Sequence, residues 1–104
     1  MHGLIGKMMV VSGQRDTVVS LLLESTDAMP GCLSYVVALD PADADGIWIT
    51  EVWDTQANHA ASLKLPAVQR AIARARPLIT GFANHVVTQP VGGYGLPTAL
   101  RRPR

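Results

Sequence analysis

The hydrophobic positions change period several times along the chain, and each change marks an element. Residues 2–11 are β-branched and methionine-rich, with glycines at Gly3 and Gly6, a strand pattern that Ser12-Gly13 breaks. Over residues 14–29, Val18, Leu21, Leu22 and Ser25 fall at helical spacing with Val19 and Leu23 beside them. Arg15 and Asp16 occupy a polar first turn, and Pro30-Gly31 supplies the expected stop. Residues 32–39 alternate with period two: Leu33, Tyr35, Val37 and Leu39 share one face, and Cys32, Ser34, Val36 and Ala38 the other. Asp40-Pro41-Ala42-Asp43-Ala44-Asp45-Gly46 has turn composition, and residues 47–53 read as a third strand. Asp54-Thr55 offers a helix N-cap, with Thr55 and Asn58 at capping-box spacing, so a short helix is expected over 56–64. Pro66 suits the first turn of the next helix. There Val68, Ala71, Ile72, Ala75 and Ile79 form the apolar stripe, and Gln69, Arg70 and Arg74 are left on the wet side. Pro77 kinks or tightens its last turn, Gly81 ends it, and residues 82–89 make a fourth strand.

The order β-α-β-β-α-β predicts an α+β, ferredoxin-like fold: one antiparallel sheet with helices on one face. Helices on one face leave the other uncovered. Yet the strands are apolar on both faces, with Ile47 and Ile49 pointing one way and Trp48 and Val52 the other. A bare apolar face on a small domain marks an association surface, so a homodimer through that open sheet face is expected.

Composition narrows the function classes. A chain of 104 residues is one domain, and 48% hydrophobic with 16% charged residues excludes a disordered one. The net charge of +1 gives no sign of a nucleic-acid binder. The balance is uneven, however: residues 1–54 hold all the acids and residues 55–104 only bases, a contrast that a compact domain cancels by interleaving its halves. One cysteine, Cys32, excludes an internal disulfide framework and a multi-cysteine zinc site, and an inert buried thiol is expected there. Three scattered histidines predict no metal site. Val91-Gly92-Gly93-Tyr94-Gly95 opens no helix and is no phosphate loop. No segment reads as a signal peptide or membrane span, so a cytoplasmic protein with no membrane partner is expected.

The motifs go further. Met29-Pro30-Gly31-Cys32-Leu33-Ser34-Tyr35, then Glu51-Val52-Trp53-Asp54-Thr55, then His59 and Ser62-Leu63 resemble the antibiotic biosynthesis monooxygenase (ABM) domain family. In that family a Pro-Gly-Cys-x-x-Tyr strand, a Glu-x-Trp strand end and a short helix recur in this order. Leu65-Pro66-Ala67-Val68 and Arg76-Pro77-Leu78-Ile79 are similar to its quinol-monooxygenase-like branch. The resemblance spans residues 3–90, which sets residues 1–90 as the domain and residues 91–104 as a Gly/Pro-rich basic tail. It implies a dimeric α+β barrel with a pocket between helices and sheet in each subunit. It also implies oxygenation of a small phenolic or quinol-like aromatic ligand with no cofactor. Haem-degrading relatives need an Asn, a Trp and a His where the alignment places Lys7, Ser62 and Ile72, so the haem would lack its axial imidazole and that branch is set aside. Because fold does not fix function, a non-oxidative isomerase-type enzyme and a non-catalytic ligand-binding dimer stand as alternatives.

Cofactor-free oxygenation needs a base, an aromatic-lined pocket and exclusion of water. His59 is the candidate base, because imidazole titrates nearest neutral pH, and its alternative is a solvent-facing helix residue. Ser62, one turn on, is placed to orient that ring or bond a substrate oxygen. Tyr35, Trp48, Trp53 and Glu51 are the candidate substrate-binding residues. The two tryptophans lie five apart, so one faces the pocket and the other the dimer face or rim. Tyr35 is a ring-stacking group or a structural strand tyrosine. Glu51 is a proton acceptor or, preferably, the ion-pair partner of Lys7 or an arginine. His85 is assigned to the interface or surface, His2 to no role, and Arg74 and Arg76 to a solvated helix face.

Overall fold

The computed structural model of the protein describes residues 1–26 and 28–97. The end of the expected tail, with Arg101, Arg102 and Arg104, lies outside the described residues, as does Asp27. Strand β1 (His2–Val10) leads into helix α1 (Arg15–Glu24), the hairpin β2 (Cys32–Leu39) and β3 (Gly46–Trp53), helices α2 (Gln56–Ser62) and α3 (Pro66–Ala75), a 3-10 turn (Arg76–Leu78) and β4 (Ile79–Thr88). The strands form one antiparallel sheet in the order β2-β3-β1-β4, the ferredoxin-like arrangement.

Register settles the two faces. Leu4, Gly6 and Met8 of β1 stand opposite Glu51, Ile49 and Ile47 of β3, and Tyr35, Val37 and Leu39 of β2 continue the same rows. Met8, Val10 and Ile47 of this face bury themselves against Val18 of α1, with Val37, Ile49 and Ile79 packed around them. Ile47 and Val18 are fully buried, and truncating Ile47 to alanine removes the order of 2–5 kcal/mol. The other face carries the row Val36, Thr50, Ile5 and Val86, one residue from each strand. Trp53 lies on the helix-covered face and Trp48 on the open one, as strand alternation requires.

Several element boundaries differ from the sequence reading, among them the end of the short helix at Ser62 and not at 64. Helix α1 ends at Glu24, not at Pro30, because the Ser25 and Thr26 hydroxyls donate to the Leu22 and Leu23 carbonyls at 3.1 and 2.9 Å and close the last turn. Helix α3 ends at Ala75, and Pro77, which has no N–H to donate, tightens the chain into the 3-10 turn. Ile79 therefore begins β4, paired with Val10, instead of closing the helical stripe. The Thr55 cap is as read: its Oγ1 accepts the Asn58 N–H at 3.1 Å. The halves of the chain do meet, through the Arg74–Glu24 pair at 3.3 Å on the surface.

The expected Lys7–Glu51 ion pair is absent, because the two side chains leave the sheet on opposite faces. Lys7 Nζ instead lies 3.1 Å from Asp40 and 3.0 Å from Asp43 in the β2–β3 turn. Asp40 also accepts the Ala42 N–H at 2.8 Å and the Trp48 indole N–H at 2.9 Å. Arg15 donates to the Asp40 and Asp43 carbonyls, tying the start of α1 to the same turn.

These bonds hold the Asp40 carboxyl down to about 2, the Ala42 N–H first, then the indole and Lys7. The two aspartates, Asp43 foremost, raise the Lys7 ammonium above its usual value. Stability from Asp40 is complete above the usual carboxylate range and is lost as pH falls through about 2; that from Lys7 is complete below its usual value and lost as pH rises past the raised one. Thermal melts should show Asp40→Asn with a lower Tm at neutral pH and a shallower fall of Tm between about pH 4 and 2 than the native chain. Equal slopes in that window would contradict the assignment.

Candidate functional site

Between the helix-covered face of the sheet and helices α1 and α3 lies a cavity of about 340 Å³, within the range of small-molecule sites. Its walls are mostly aliphatic, with Leu22 of α1, Ile49 of β3 and Val68 and Ile72 of α3 among them. Three groups with polar atoms stand at one end: Tyr35, Glu51 and Trp53. Tyr35 and Glu51 are cross-strand neighbours in the β2–β3 ladder, so their side chains share the face.

Glu51 is held from within. The Trp53 indole N–H donates to its Oε1 at 3.0 Å, and His59 Nε2 lies 3.8 Å from the same oxygen. Neither contact uses Oε2. Trp53 is 1% exposed, and its ring lies 5.3 Å from that of His59, tilted by 59°. The His2 ring lies 5.7 Å beyond His59. Helix α2 is placed against this corner by Gly31. Its φ of +85° suits only glycine, and a Cβ there would come within 2.5 Å of Asp54 Oδ1 and 2.6 Å of the Asn58 amide. The Asp54 N–H donates to the Gly31 carbonyl at 2.9 Å, and Asp54 Oδ1 accepts the Asn58 amide at 2.9 Å, so β2, β3 and α2 meet at one joint.

The sequence-predicted residues separate into two groups. Tyr35, Glu51, Trp53 and Ser62 line the cavity. Trp48 does not: its indole is bonded to Asp40 on the other side of the sheet, where Lys7 lies 6.0 Å from the ring. His59 touches the cavity only through Glu51 and Trp53, which stand between it and the space. Ser62 orients no ring, since its hydroxyl donates to the His59 carbonyl at 2.6 Å inside the last turn of α2. His85, assigned from sequence to an interface or surface, is exposed, as read, and stands at the β4 edge of the cavity. Asn84, just before it, adopts positive φ inside the strand.

Burial, and then the Glu51 charge, push the Tyr35 hydroxyl far above its usual titration, so it is a donor at neutral pH. Burial likewise raises the Cys32 thiol, which bonds the Ser34 carbonyl at 3.6 Å. Among the described residues no three His, Cys, Asp or Glu side chains converge to hold a metal ion. Among the described residues the corner thus brings together a carboxylate contacted on one oxygen, an imidazole behind it and a protonated phenol beside it.

The family model for antibiotic biosynthesis monooxygenase matches residues 1–74. A crystal structure from Chloroflexus aurantiacus assigned to the same family is 58% identical, with a TM-score of 0.89 over 92% of this chain and 98% of that one. One from Deinococcus radiodurans, so assigned too, is 25% identical, with a TM-score of 0.74 over 89% and 95%. A Nitrosomonas europaea structure at 11% identity shares the fold, with a TM-score of 0.78 over 88% and 100%. No curated protein matches the chain.

Trp53→Phe keeps most of the ring and removes the donor that holds Glu51. Urea unfolding should show a loss of about 2–3 kcal/mol, the hydrogen bond to a charged acceptor plus a small void. A loss under about 0.5 kcal/mol would mean that the indole N–H does not hold the carboxylate.

Proposed function

The chain belongs to the antibiotic biosynthesis monooxygenase family, and from that premise we propose that its cavity binds a small phenolic or quinol-like aromatic molecule and oxidises it with O₂ without a cofactor. The observation that carries this reading is Glu51: one carboxylate in an aliphatic wall, fixed by Trp53 and backed by His59. In the reaction the substrate hydroxyl passes its proton to Glu51, and the electron-rich anion gives one electron to O₂. The resulting radical pair joins a ring carbon to oxygen, and the peroxide so formed takes the proton back from Glu51. Loss of water from that hydroperoxide leaves one oxygen atom on the ring as a quinone carbonyl and carries the other away. The substrate supplies all the electrons, so no external reductant is needed. Tyr35 donates a hydrogen bond to the developing anionic oxygen, and the aliphatic walls exclude water from the radical pair. Base and shield are roles of this chain's own residues, and His59 backs Glu51 from 3.8 Å.

Metal-free, flavin-free protein should consume O₂ with a panel of quinols and phenols. Glu51→Gln should lower the rate by about 10²–10⁴-fold, the usual worth of a general base. His59→Phe should cost less, because it leaves the carboxylate in the cavity. Turnover that persists without oxygen, or a Glu51→Gln enzyme of native rate, would contradict the proposal.

The same reading pairs two copies across the open sheet face, in a cytoplasmic protein whose Cys32 stays a free thiol. Among the described residues no helix is long and apolar enough to cross a membrane. What supports pairing is the cross-strand row Val36, Thr50, Ile5 and Val86, whose two end valines are 53% and 50% exposed. Such a row has a hydrophobic gain only if a like surface covers it. Sedimentation at micromolar concentration should show a dimer for the native chain and a monomer for Val86→Lys. A native monomer would contradict the pairing.

A further inference from the structure

The cavity is closed at its polar end and open at an apolar one. At the Glu51 end Trp53 is buried and the Glu51 side chain is 17% exposed. At the β4 edge Phe82 lines the same space and is 71% exposed, and His85 further along the strand is exposed too. Register sets the two ends apart: Glu51 stands opposite Leu4 of β1, and Phe82 opposite Met8. A large apolar ring left in water at the rim of a cavity gains by being covered. Size points the same way. A cavity of about 150 Å³ holds one benzene ring, and this one is about 340 Å³. A single-ring phenol with its hydroxyl at Glu51 therefore leaves more than half of the space without partner atoms, and aliphatic walls offer little to water that would fill it. The aromatic side chains that line the cavity among the described residues, Tyr35, Trp53, Phe82 and His85, stand at its two ends, and the rest of the wall is mostly aliphatic. Nothing there stacks on a second ring. Met8 and Met29, which also line it, are flexible side chains that mould to a chain.

We propose that the cavity takes a phenol carrying a flexible apolar chain, with the hydroxyl at Glu51 and the chain running along the aliphatic wall to the rim at Phe82. The ligand is thus an amphiphile that enters head first. Its one polar group finds Glu51 and Tyr35 at the closed end, and its chain removes the aliphatic wall and the exposed Phe82 ring from water. Phe82 is the specificity-determining residue for chain length, because it is the apolar group that the outer methylenes reach. Position Phe82 lies beyond residues 1–74, the part matched by the family model. The inference rests on Glu51 receiving the ligand hydroxyl and adds what the remainder of the molecule must be.

The test is anaerobic calorimetric titration, which reads binding whether or not turnover occurs. The probes are phenol, 4-butylphenol, 4-hexylphenol and 2-naphthol, the last with the same number of carbons as 4-butylphenol but in a second fused ring. Each buried methylene should tighten binding about threefold to fourfold, so the native protein should bind 4-hexylphenol at least about a hundredfold more tightly than phenol. It should bind 4-butylphenol at least about threefold more tightly than 2-naphthol, because the chain follows the aliphatic wall. In Phe82→Ser, a substitution at an exposed position, the hexylphenol-to-phenol ratio should fall about tenfold. Native affinities for phenol and 4-hexylphenol within about twofold of each other overturn the inference and leave Glu51 as the group that meets the hydroxyl. So does 2-naphthol binding as tightly as 4-butylphenol. A Phe82→Ser protein with the native ratio overturns the course of the chain to β4. Failure of the native protein to bind any of the four removes the aromatic-ligand reading itself, and the inference with it.

Discussion

A carboxylate placed among aliphatic side chains must be held by a donor, and in this protein the donor is the Trp53 indole. Trp53 is among the most deeply buried large side chains of the fold, so the group that fixes Glu51 also fills the core. The coupling runs both ways. Whatever loosens the packing of Trp53 loosens the carboxylate, and whatever moves the joint at Gly31 moves α2 and the imidazole behind it. The chemistry of the cavity is therefore not laid on a finished scaffold; it is one corner of the scaffold.

The chain uses a tryptophan–carboxylate bond twice, and the difference between the two separates structure from function. Asp40 receives the Ala42 N–H on one oxygen and the Trp48 indole and Lys7 on the other, with Asp43 sharing the ammonium. Its acceptor capacity is spent on locking a turn. Glu51 receives one indole N–H and has an imidazole at 3.8 Å, both on the same oxygen. A carboxylate accepts about four hydrogen bonds, so Glu51 retains capacity, and it faces a cavity. The acid tied to three donors is structural, and the one held through a single oxygen is where a ligand can compete.

Much of this was legible in the sequence because it follows from periodicity and local chemistry. Strand alternation separated Trp48 from Trp53, Pro66 and Thr55 marked helix starts, and the order of elements gave the topology. What could not be read has physical reasons. The end of α1 is set by two hydroxyls bonding back to carbonyls, a choice that the apolar stripe does not reveal. Ile79 fits a helical stripe and a strand equally well, and Pro77 decided between them. The Lys7 partner depends on which face each strand residue takes after pairing, so nearness in charge was a poor guide. His59 stands behind Glu51 and not in the cavity because helix phase sets it there, whereas His85 is exposed at the cavity's β4 edge, as its place on the last strand suggested.

The central claim is that a ligand oxygen meets Glu51 inside the cavity. The direct measurement is a crystal structure of the protein with an aromatic alcohol bound under anaerobic conditions. The account predicts one ligand oxygen at about 2.5–3.0 Å from the Glu51 carboxylate, with the ring between the sheet and α3. A ligand whose oxygen bonds His59 or Lys7 without touching Glu51, or one seated on the open face of the sheet, would contradict it.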